Sequence, residues 1–174
     1  MTQDARAMFL QGFDYTNNRL VERLRGLSDD EYLWKPVPAC WTIVESDEGY
    51  RKEWEQRPDG APEPVTTIAW RLCHISLDVL GGFTVSVRSG QPPEPASPGC
   101  AANAAGALDL LGTAYGEWRA ALAAVDEDRL WRELGPSWGP FGSDSTADLV
   151  LHVFDEFIHH SAEVALLRDL YRSR

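Results

Sequence analysis

Apolar residues recur at intervals of three and four in four separate stretches of this chain, and strict alternation is nearly absent. Spacing of three and four puts side chains on one face of an α-helix, whereas a half-buried strand needs a period of two. Over residues 3–27 the stripe is Phe9, Phe13, Leu20, Val21 and Leu24, with Arg and Glu between; Gly26 and Ser28-Asp29-Asp30 stop it. Thr66 or Thr67 can cap a second helix to about residue 87, striped by Ile68, Leu72, Ile75, Val79 and Phe83. A third, rich in Ala and Leu, spans about 101–125. Asp144, Ser145 or Thr146 caps the fourth, which runs to about residue 171 on Val153, Phe157, His160, Val164 and Leu167. No strand is expected. The pattern predicts an all-α fold, a four-helix bundle with a long crossover loop between helices 1 and 2.

That crossover, residues 32–64, carries turn signals in PVPAC and RPDGAPEP, yet also holds Trp34, Trp41 and Trp54. Aromatics are scarce in disordered chain, so the segment is expected to pack over the core. SGQPPEPASPG and GPSWGPFGSDS break the chain before the third and fourth helices. A length of 174 residues suits one domain, taken as 1–174.

Charge narrows the partners. Against 16 basic residues stand 27 acidic ones, a net charge of -11 that repels phosphate backbones and anionic membranes. No nucleic acid and no membrane are therefore expected, and no run approaches the roughly 18–20 apolar residues of a membrane span. MTQDARAMF lacks the basic start and apolar core of a signal peptide, which makes the expected location cytoplasmic. Cys40, Cys73 and Cys100 are odd in number and scattered, and are expected to be buried free thiols.

The histidines carry the chemistry. Of four in the chain, His152, His159 and His160 crowd the last helix, and His74 lies on the second. Glu156 and His160, at i and i+4, project from one face a turn apart, so carboxylate and imidazole can close on one ion. His160 falls on the apolar stripe, Glu156 at its edge, and His152 and Glu163 further round. His159 is turned about 100° from His160 and is set aside as a bystander. His74, beside Arg71 and Asp78, could supply a third ligand across the bundle, where such folds build metal sites. Two nitrogens and one carboxylate suit Zn²⁺ first, with Ni²⁺, Fe²⁺ or Mn²⁺ as alternatives, and leave a position open for water or substrate. Arg71, Asp78, Trp34, Trp41 and Trp138 are candidates for pocket lining, although packing or surface roles are the simpler expectation for each. No catalytic residue is singled out, and GxSxG, GxGxxG and P-loop motifs are absent.

The segments PVPACWTIVES, TTIAWRLCHISLD and DEFIHHSAEVALLRDLY, in this order, resemble the DinB-like superfamily, whose members include bacillithiol- and mycothiol-dependent S-transferases and the mycothiol-type maleylpyruvate isomerase. The resemblance covers nearly the whole chain. It implies a metal held by His74, Glu156 and His160, with Glu156 standing where many members carry His. It also implies a low-molecular-weight thiol as cosubstrate, with the metal holding its sulfur as thiolate against an electrophile, and a homodimer. The balance favours such an enzyme, with a small-molecule thiol and electrophile as partners. Two other readings stay open: a non-catalytic, dimerising or stress-associated binding bundle, and a metal-dependent hydrolase using Glu163 or His159 as proton shuttle.

Overall fold

The computed structural model describes residues 4–56, 58–62, 64–95 and 99–174. Residue 3, where the first helix was expected to begin, and parts of the RPDGAPEP and SGQPPEPASPG breaks lie outside them. Four long helical rods form the bundle. The first, α1 (Ala5–Leu24), is capped by Asp4, whose carboxylate accepts from the Ala7 amide. A single turn, α2 (Asp29–Tyr32), follows.

The second rod has three parts: α3 (Ile68–Cys73) capped by Thr67, a π-helical stretch His74–Gly82, and α4 (Phe83–Ser89) ending on left-handed Gly90. Gly81 is required within the π turns, since a Cβ there would stand 2.9 Å from the Ser76 carbonyl oxygen. The third rod, α5 (Ala104–Ala123), is capped by Asn103. A short turn α6 (Glu127–Leu130) and a 3₁₀ segment Pro136–Phe141 lead to α7 (Thr146–Arg172), where Ser145 and Asp148 form a capping box. Packing runs round the bundle, α1 against α7, α7 against the second rod, that rod against α5, and α5 back to α1. Phe13 of α1 centres the core, edge-on to Trp118 of α5 and stacked with Phe157 of α7. The predicted all-α bundle and its long crossover are what the chain forms.

Two expectations are overturned. The crossover contains a β-hairpin, β1 (Ile43–Ser46) paired antiparallel with β2 (Gly49–Lys52). Its strands are four residues long and only half-buried, too short for alternation to stand out from the sequence. The hairpin is fixed to the bundle through Trp41, which pairs with the chain on either side of Thr66, and through the Thr67 hydroxyl, which donates to that of Thr42 at 3.1 Å. Cys73 and Cys100 are also not free thiols. They form a disulfide, because the crossover and the start of α5 bring residues 27 apart in sequence to a Cα separation of 5.1 Å. Cys40 alone is free, and it is buried as expected.

The end of the bundle where α1 stops is closed by a buried ion pair. Arg168, fully buried on α7, donates to both carboxylate oxygens of Glu31 at 2.7 and 2.9 Å. The same guanidinium caps the C-terminus of α1 by donating to the carbonyls of Arg23 and Arg25. Removing one partner leaves an uncompensated charge in the core. Glu31→Ala is expected to lower stability by about 3–5 kcal/mol. Urea unfolding followed by circular dichroism reads this, and a loss below about 1 kcal/mol, the size of an exposed pair, would contradict it.

Candidate metal centre

The helix positions of His74, Glu156 and His160 become one site because α7 packs along the second rod where its π-helical stretch begins. The Glu156 carboxylate oxygen Oε2 stands 3.2 Å from His160 Nε2 and 3.7 Å from His74 Nε2. The two imidazole rings meet edge to face at 4.7 Å. One ligand atom from each of the three residues lies within 4.8 Å of the other two. The structure therefore brings together the three residues that the sequence singled out, in a group that could hold a metal ion.

The opposite ring nitrogens are occupied. His74 Nδ1 lies 2.6 Å from Asp78 Oδ2, and His160 Nδ1 lies 2.6 Å from Glu163 Oε2. Each carboxylate can only accept, so each Nδ1 carries the proton and donates it. His74 then turns its Nε2 on the Glu156 carboxylate, and His160 Nε2 lies within hydrogen-bond distance of the same oxygen. Burial pushes His74 down to about 3, helped by the charges of His160, Lys52 and Arg71, and only Glu163 pulls the other way. At neutral pH His74 is thus uncharged, and no proton is left to bridge its Nε2 to Glu156. The uncharged His74 lone pair facing the Glu156 carboxylate at 3.7 Å is an unfavourable contact for water-free protein, and a good one for a cation. The donor set fits a divalent ion.

A further layer holds the two orienting carboxylates. Lys52 of β2 reaches Asp78, and its ammonium is brought down to about 8 by burial. Arg71 Nε donates to Glu163 Oε2 at 2.9 Å. Its Nη1 also lies 3.3 Å from His160 Nδ1, but that nitrogen gives its proton to Glu163 and cannot accept from Arg71 as well. Burial raises the Glu163 carboxyl, yet its bond to His160 and the charges of Arg71, His160 and His159 outweigh this and hold it below the usual range. Trp70 stacks under both cations, 5.6 Å from Lys52 and 5.0 Å from Arg71, and packs 5.2 Å from the His74 ring. Sequence reading named Arg71 and Asp78 only as possible lining and did not see Lys52. The i, i+3 spacing of His160 to Glu163 and the i, i+4 spacing of His74 to Asp78 were the available signals.

His74 also lines a cleft of about 440 Å³ whose wall includes Lys52, Trp54, Trp70, Asp78 and the Cys73–Cys100 disulfide. Trp41 packs tilted against Trp54 at 5.5 Å and helps form the next hollow along the hairpin. The other tryptophans are elsewhere. Trp34 packs on Tyr171, and Trp138 lines a larger apolar cavity of about 610 Å³ beside His152 that shares no residue with the cluster. His159 is exposed, with Nε2 3.3 Å from Glu163 Oε1. With His160 and Glu163 it makes a second group of potential ligands, but the Arg71 guanidinium already on Glu163 opposes a cation there.

Comparison with known proteins identifies the family. The family model of the DinB superfamily matches residues 13–164, and the chain belongs to that superfamily. No curated protein and no solved structure matches it. Among the described residues no helix is long and apolar enough to cross a membrane.

If Asp78 and Glu163 set the histidine tautomers, removing either must weaken metal binding although neither is a ligand. Asp78→Ala and Glu163→Ala are each expected to lower Zn²⁺ affinity by about 10- to 100-fold, read by competition with a chromogenic chelator. His159→Ala should bind like the wild type. Unchanged affinity in both carboxylate variants would contradict the assignment.

Proposed function

We propose that this DinB-superfamily chain is a metal-dependent thiol enzyme, an S-transferase or thiol-assisted isomerase, with a divalent ion, Zn²⁺ first among candidates, held by His74, Glu156 and His160. The carrying observation is the convergence of two imidazole nitrogens and one carboxylate, with His74 on the wall of an open cleft. When bound, such an ion supplies Lewis acidity that keeps a thiol sulfur in its nucleophilic thiolate form at neutral pH. Everything else falls to the chain. Asp78 and Glu163 keep both Nδ1 protons in place, and Lys52 and Arg71 keep those carboxylates in place. Trp70 and Leu77 give the cleft an apolar wall that limits water around the reacting sulfur.

Charge supports an anionic guest. Glu156, Asp78 and Glu163 outnumber Lys52 and Arg71 by one, so these five side chains carry one net negative charge. A divalent ion reverses that to one positive charge, and a thiolate in the cleft brings the total to zero. Thiolate as nucleophile needs no Ser-His-Asp arrangement. For a hydrolase, Glu163 would have to carry protons, yet it accepts from Arg71 and His160 and is held ionised. That fits an orienting role better. Which thiol is used, whether mycothiol or another of its class, and which electrophile, are questions for the cleft's ligands.

Metal-loaded protein is expected to consume a small thiol in the presence of monochlorobimane faster than either reagent alone, with His160→Ala reduced to the uncatalysed rate. Ester or amide turnover without any thiol would replace this reading with the hydrolase. Metal-loaded protein that neither consumes thiol nor hydrolyses would leave a binding bundle.

A further inference from the structure

The Cys73–Cys100 disulfide lies where a structural crosslink has no need to be. Cys73 immediately precedes His74, at the junction where α3 widens into the π-helical stretch. Cys100 is tied to the hairpin, since its own amide and that of Gly99 both donate to the Tyr50 carbonyl, at 3.0 and 2.9 Å. Both cysteines line the same cleft as His74, Lys52 and Asp78. The bond thus forms part of the wall of the space assigned above to a small thiol. A bundle with Phe13, Phe157, Trp118 and their neighbours buried has the core that disulfide-dependent mini-proteins lack.

From this placement we propose that Cys73–Cys100 is a covalent exchange site for a low-molecular-weight thiol entering the cleft. The incoming sulfur bonds to Cys100, the more exposed of the pair at 7% against 2%. The Cys73–Cys100 bond breaks, and Cys73 leaves as a thiol carrying the proton of the attacking one. Two electrons move from the attacking sulfur into the new mixed disulfide and Cys73 takes the pair of the broken bond, so no other oxidant or reductant is needed. A second thiol molecule on the mixed disulfide gives the free Cys100 thiol and the small-molecule disulfide. Cys40, the third cysteine, is not part of the cleft wall, so the resolving thiol comes from outside the chain. Arg51 and Lys52 line the cleft together with Glu53 and Asp78, so its charged side chains balance and do not bar an anionic sulfur. While the adduct stands, it fills the cleft in front of His74 and keeps a further thiol out. Release of Cys100 also loosens Gly99 and Cys100 from Tyr50, and with them one wall of the entrance.

The proposal rests on the thiol-enzyme reading only for the class of its reactant, and its test uses no electrophile. Oxidised, folded protein is incubated with glutathione at millimolar concentration, quenched with acid, alkylated with iodoacetamide and mapped by mass spectrometry. The expected result is glutathione on the Cys100 peptide with Cys73 alkylated, passing to alkylation of both, at a rate within about tenfold of the chain unfolded in urea. Cys100→Ser should take up no glutathione. A bond that survives in folded protein and yields only in urea would overturn the proposal, as would purified protein in which all three cysteines alkylate without reduction. Normal exchange with no bimane conjugation would instead sink the transferase reading alone.

Discussion

Two protons, one on each of His74 Nδ1 and His160 Nδ1, govern the chemistry of this protein. Each is held at 2.6 Å by a carboxylate that can only accept. That commitment leaves each Nε2 directed at Glu156, and the uncharged His74 meets the carboxylate with a bare lone pair. Such a pairing favours a cation between the three residues. The metal reading therefore rests on the proton inventory as much as on the presence of His and Glu.

The fold serves this arrangement from three sides. Alpha-helical spacing on α7 places Glu156, His160 and Glu163 on neighbouring turns, so ligand and orienting carboxylate come from one rod. The second rod brings Arg71, His74 and Asp78, with its π-helical stretch opening at His74; π turns are recurrent at functional sites because they re-aim side chains without ending the helix. The hairpin completes the set by delivering Lys52 to Asp78. Further along α7, Arg168 and Glu31 lock that helix to the C-terminus of α1, which fixes the rod that carries two of the three candidate ligands.

What could be read from the sequence divides along the range of the interactions. The four rods and the pairing of Glu156 with His160 follow from local periodicity, and they were legible. So was the capping at Thr67 and Ser145, which depends on residues three apart. The disulfide was not, because Cys73 and Cys100 meet only once the crossover has folded, and three scattered cysteines carry no spacing signal. The hairpin was hidden by strands of four half-buried residues. Lys52 and Trp138 show the same limit. Lys52 carried no signal and Trp138 was named only as possible lining, and tertiary placement sent one to the candidate site and the other to a separate cavity. The family resemblance, carried by the segments around His74 and His160, linked helix positions that periodicity alone could not connect.

The most direct measurement is metal content. Protein purified without added metal, then reconstituted with Zn²⁺ and freed of excess, should hold one ion per chain, and His74→Ala should hold none at the same free concentration while keeping its helical circular dichroism. Wild-type protein that retains no stoichiometric divalent ion after reconstitution would contradict the account, as would a folded His74→Ala that retains as much as the wild type.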